Sequence, residues 1–121
     1  MNELHTKAVS AAQRFVERRG YEVLGTDWSK EGLAGSLALI ARDEDTVVFI
    51  DVVAVDHSEG GFSEGTLSRE QFEVLAAAWL GENAPEGDVG CRFDRISMIV
   101  VSPDRALLRH HISAMAAGEV A

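Results

Sequence analysis

Asp51 is the one acid in the apolar run Thr46-Val-Val-Phe-Ile-Asp-Val-Val-Ala-Val55, and a lone carboxylate limits what that run can do. A cation that activates water or steadies charge on phosphate needs several oxygen ligands, so Asp51 alone would hold one weakly, with waters filling the other positions. Its other reading is structural: a carboxylate at a strand end, hydrogen-bonded or paired with an arginine. The structural reading is the preferred one. Asp56-His57 is a weak acid–base pair with no serine or cysteine nucleophile set beside it by any motif. His110 and His111 are adjacent, which sends them to opposite faces of a strand or about 100° apart on a helix, so they do not suit a shared metal. Lys7, Arg14 and Arg18 lie on one stripe at helical spacing with Arg19 beside them. Such a stripe either contacts phosphates or is an ordinary solvated face, and the second is the commoner case.

The elements that must position these groups follow from hydrophobic period. Leu4, Ala8, Ala11, Ala12, Phe15 and Val16 recur at spacings of three and four, which predicts an amphipathic helix over 4–19 ended by Gly20. Tyr21–Thr26 is a short strand candidate and Leu33–Arg42 a second. Asp43-Glu44-Asp45 is a hairpin turn leading into the third strand, Thr46–Val55. That third strand is apolar on both faces, the pattern of a central strand covered on both sides by helices.

Residues 56–67 form a glycine-rich loop without hydrophobic period. Ser68-Arg-Glu-Gln71 matches a capping box and opens a second helix, with Phe72, Leu75, Ala76, Trp79 and Leu80 as its buried stripe to about Glu82. A fourth strand is expected over Cys91–Val101. A fifth is expected around Leu107 and Leu108, followed by a helical turn within Arg105–Met115. Trp28 and Trp79 fall inside apolar patterns and read as packing residues, and Cys91 as a small core residue.

The fold class is therefore α/β: helices on a mixed sheet of four or five strands, in which the loop and helix between the third and fourth strands permit a crossover and so a parallel pairing of those two. At 121 residues the chain suits one domain. A net charge of −9 disfavours general affinity for nucleic acid, which depends on Lys and Arg neutralising phosphates. No apolar stretch approaches the ~20 residues of a membrane span. The lone cysteine and the polar N-terminus fit a cytoplasmic protein.

Arg14-Phe-Val-Glu-Arg-Arg-Gly-Tyr21, Gly35-Ser-Leu-Ala-Leu-Ile-Ala41, Val48-Phe-Ile-Asp-Val52 and Arg92-Phe-Asp94, in that order and spacing, resemble the blocks of the bacterial YraN family from about Leu4 to Met115. The resemblance implies a restriction-endonuclease-like three-layer sandwich with a metal-dependent nuclease site of the PD-(D/E)xK kind. It also implies where that site would lie. The family's strand acids fall on Ser36, Ala38 and Asp51 and its lysine on Val53. A Gly-Glu pair of its first helix falls on Ala8 and Val9, and a further lysine on about Ser68. Of these positions only Asp51 keeps a charge.

Asp43 and Asp56 lie five residues from the relevant positions, on the order of 16 Å along a strand, too far to substitute. Glu31 is equally remote, while Glu59 and Glu64 sit in the loop. The expectation is a catalytically inactive nuclease-fold protein, a binding or structural module in the setting of DNA processing, needing no cofactor and partnered by a protein or DNA. Two alternatives stay open. One is a Mg²⁺- or Mn²⁺-dependent nuclease with a displaced site around Asp51; the other is a non-cleaving nucleic-acid binder using Lys7, Arg14, Arg18 and Arg19.

Overall fold

The computed structural model describes residues 3–56, 68–83, 90–102 and 105–112. Helix α1 (Glu3–Arg18) opens the chain, followed by strands β1 (Glu22–Trp28), β2 (Leu37–Asp43) and β3 (Thr46–Asp56). Helix α2 (Arg69–Asn83) and strands β4 (Gly90–Ser102) and β5 (Arg105–His111) complete it. The strands form one sheet in the order β1-β2-β3-β4-β5, antiparallel except for β3 and β4, which run parallel over Thr46–Asp56 and Gly90–Val100.

α1 ends as its sequence predicts. Gly20 takes φ +93, a left-handed conformation that glycine adopts without strain. Tyr21 N–H then donates to the Val16 carbonyl and Gly20 N–H to that of Glu17, both at 3.0 Å, satisfying the last orphan carbonyls. α2 starts on the capping box: Gln71 N–H donates to Ser68 Oγ, and Ser68 N–H donates to Gln71 Oε1, each at 3.1 Å.

β3 is the apolar spine that its composition requires. Val48, Ile50, Val52 and Ala54 pack with Ala8, Val9, Ala12 and Val16 of α1 on one side. Val47 and Phe49 pack with Phe72, Leu75, Ala76 and Trp79 of α2 on the other. Strand alternation thus serves two cores, and the result is three layers: two helices packed on opposite faces of a five-stranded mixed sheet, consistent with the restriction-endonuclease-like fold.

Several local expectations need correction. β2 begins at Leu37 rather than Leu33, because Gly32 and Gly35 hold positive φ in the turn that precedes it. The last segment stays extended to His111, where its pairing with Arg95 continues the ladder, and the residues expected to turn helical beyond 112 lie outside the described ones. Cys91 is exposed, since it sits at the entry of β4. Trp79 is buried, and Trp28 at the end of β1 packs against the same α2-side core.

Candidate functional site

Alternation from Phe49 places Asp51 and Val53 on the α2 side of β3, and the parallel register sets Asp51 beside Arg95 of β4. Asp51 stands mid-strand, not at the strand end expected of it, and its arginine partner is the adjacent strand's. Arg95 Nε lies 3.8 Å from Asp51 Oδ2, an ion pair without a hydrogen bond; both atoms are buried and neither has a hydrogen-bond partner among the described residues. Burial pushes the Asp51 carboxyl above its ordinary range, against lowering by Arg95, the Val52 backbone N–H and His5.

That direction sets a sign for stability. A raised value in the folded chain means that folding takes up a proton between the ordinary 3.8 and the raised value, so the stability contributed by Asp51 is lost as pH rises through that window. Asp51→Asn is uncharged throughout. Its stability relative to the parent should therefore improve as pH rises through the window and level off above it, read by parallel urea unfolding at several pH values. A constant difference would show that Asp51 is not desolvated.

The other positions implied by the resemblance do not assemble around Asp51. Ser36 is exposed ahead of β2. Ala38 is buried in the α1-side core, and the β2–β3 ladder stops at Leu39 and Ile50, one residue before Ala38 would meet Asp51. Val53 is buried hydrocarbon. A Mg²⁺ or Mn²⁺ ion needs a shell of oxygens. Asp51 offers one carboxylate with a guanidinium already beside it, and among the described residues no three His, Cys, Asp or Glu side chains lie together to hold a metal. The described residues do not fit the ion. Glu59, Glu64 and the His57 of the Asp56-His57 pair fall outside the described residues.

A second polar cluster, on the α1 side, is one that the individual motifs do not announce. Asp94 is fully buried, and Arg92 donates to it in fork geometry, Nε to Oδ1 and Nη2 to Oδ2, both at 3.0 Å. The same guanidinium donates to Tyr21 OH at 2.7 Å and to Asp43 Oδ2 at 3.3 Å. His110 Nε2 lies 2.8 Å from Asp94 Oδ2, with its ring edge-on to Phe15 and Tyr21 at 6.0 Å. The hydrogen bonds that Arg92 itself donates to Asp94 raise the Arg92 pKa further still. The cluster ties the end of α1 to β2, β4 and β5. Only the Arg92-Phe-Asp94 block hinted at it, because residues two apart on a strand share a face.

His110 and His111 do take opposite faces of β5: His110 meets Asp94, while His111 Nε2 lies 3.4 Å from Ser97 Oγ on the α2 side. Lys7, Arg14, Arg18 and Arg19 are all exposed on or just after α1. Arg14 donates to Ser10 Oγ at 3.4 Å, and Arg19 sits 4.7 Å over the Phe15 ring. Among the described residues no helix is long and apolar enough to cross a membrane.

Comparison with known proteins gives the chain a family. The family model described as "Uncharacterised protein family UPF0102" matches residues 10–98. A UPF0102 protein of Ectopseudomonas mendocina is 34% identical over 100 residues, covering 80% of this chain and 82% of the relative. One from Ruegeria pomeroyi is 35% identical over 89 residues, covering 72% and 70%. One from Geobacter sulfurreducens is 27% identical over 114 residues, covering 92% and 87%. With a family model matched across both cores of the sheet and relatives alike over most of their length, the chain belongs to the uncharacterised protein family UPF0102, which is the YraN family.

Proposed function

We propose that this chain is a binding or structural module, set in DNA processing, that keeps a nuclease-like fold without the reaction. The observation that supports this reading is the makeup of the Asp51 neighbourhood. One desolvated carboxylate faces Arg95, Val53 supplies hydrocarbon where a lysine would be needed, and Ala38, where the second acid would stand, lies in the α1-side core. Cleaving a phosphodiester by the two-acid, one-lysine chemistry requires ligands to fix a cation and a cation to stabilise the transition state. Asp51 already spends its charge on a guanidinium.

The test is purified protein incubated with Mg²⁺ or Mn²⁺ on single-stranded, branched and duplex DNA. No cleavage is expected. Cleavage that disappears in Asp51→Ala would overturn the reading in favour of a displaced-site nuclease. The exposure of Lys7, Arg14, Arg18 and Arg19 favours a second reading, nucleic-acid contact without cutting along α1. The same substrates report on it: binding that weakens with salt and is lost when those charges are reversed supports it, and no binding at low salt removes it.

A further inference from the structure

The antiparallel register of β4 and β5 sets Arg95 opposite His111 and Ser97 opposite Arg109. Cross-strand partners share a face, and alternation from Phe93 gives this face as the α2 side. The four side chains therefore form a two-by-two block, with partners about 5 Å apart across the strands and same-strand neighbours about 7 Å apart. Three corners of the block are basic groups, in a chain whose net charge is −9.

Arg95 and Arg109 stand on a diagonal of the block, within reach of each other for long side chains, and like charges so placed repel, so a fold that only needed a solvated surface gains nothing from this placement. Among the described residues that repulsion is offset only in part. Arg109 is exposed and has no hydrogen-bond or ion-pair partner among the described residues. Arg95 Nε is buried without a hydrogen-bond partner, and its one counter-charge, Asp51, has a side chain only 9% exposed and stands 3.8 Å off. Donors left over on the two guanidiniums share one region of the face with the His111 imidazole and the Ser97 hydroxyl, whose Nε2 and Oγ lie 3.4 Å apart.

We propose that Arg95, Arg109, His111 and Ser97 form an oxyanion site that takes a phosphoryl group on the α2 side of the sheet. Guanidiniums present paired N–H donors to phosphoryl oxygens, and the Ser97 hydroxyl adds a neutral one. The site lies on the strands next to Asp51, away from the basic stripe of α1, and it deepens the binding-module reading by naming a ligand class. Loss of phosphate binding would leave that reading standing, whereas DNA cleavage would overturn it and leave phosphate binding untouched.

Inorganic phosphate titrated into the folded protein at fixed ionic strength, followed by amide chemical shifts, should bind saturably and move the signals of β4 and β5. Arg109→Gln, on an exposed edge-strand position that folding tolerates, should weaken binding about tenfold, the scale of a lost charged hydrogen bond. Arg95→Gln should do the same, and Arg69→Gln on α2 should leave binding unchanged. Competition by short single-stranded DNA assigns the source. Displacement of phosphate by 5′-phosphorylated but not by 5′-hydroxyl strands points to a nucleic-acid end, and displacement by neither points to a free phosphate ester; both uphold the site. Absence of saturable binding, or binding by Arg109→Gln and Arg95→Gln as tight as by the parent, would overturn it.

Discussion

Arg92→Leu should cost about 3–5 kcal/mol of folding stability, the range for stripping the partner from a buried charge. The reason lies in Asp94, which has no exposed surface and receives two hydrogen bonds from the Arg92 fork. Leucine fills much of the volume but donates nothing, so a desolvated carboxylate is left with His110 as its main polar neighbour. Tyr21 OH and Asp43 lose their donor in the same stroke.

The reverse truncation separates this account from a general intolerance of the site. In Asp94→Ala the guanidinium keeps Tyr21 and Asp43 and is 21% exposed, so water can take over part of its solvation. Asp94→Ala should therefore be milder, about 1–3 kcal/mol, the cost of leaving buried donors unmatched. Equilibrium urea unfolding of both variants, with unchanged dependence on denaturant, measures the difference. Equal losses would mean that the cluster acts through packing alone.

The contrast between the two polar clusters shows what was legible from residues alone. Both helices and the hairpin at Glu44 follow from signals carried within a few residues, such as the Gly20 stop and the Ser68-Gln71 box, and the parallel β3–β4 pair from the loop and helix that join those strands. Asp51 stood out because it is the one charge in an oily run. Its pairing with Arg95, 44 positions later, depends on strand register, which local pattern does not encode. The Arg92 cluster draws on α1, β2, β4 and β5, so its members lie scattered through the chain from Phe15 to His110.

The basic block on β4 and β5 was hidden for the same reason. Arg95 and His111 are unremarkable until the ladder makes them neighbours. Exposed Cys91 makes the complementary point, since its residue type predicts burial but its place at a strand entry decides otherwise.

Phe49→Ala should be as damaging as the loss of Arg92, at about 3–5 kcal/mol, for the opposite physical reason. Phe49 is fully buried in the central strand and is the ring on which the α2-side core is assembled. It meets Trp79 of α2 edge-on at 5.8 Å and Phe93 of β4 at 5.8 Å, and Phe93 in turn meets Phe72 of α2 at 5.1 Å. Removing the ring takes away its transfer free energy and leaves a cavity that the three large aromatics of α2 and β4 cannot close without moving α2. Phe49→Leu retains most of the volume and should lose much less. The α1-side core, built on Val48 and Ile50 of the same strand, is not opened by either change. Hydrogen exchange should accordingly show protection falling first in α2, with α1 amides affected only through global unfolding. Simultaneous loss in both helices at equal rates would show that the two cores fold as a single unit across the sheet, and that β3 couples its faces more tightly than side-chain alternation implies.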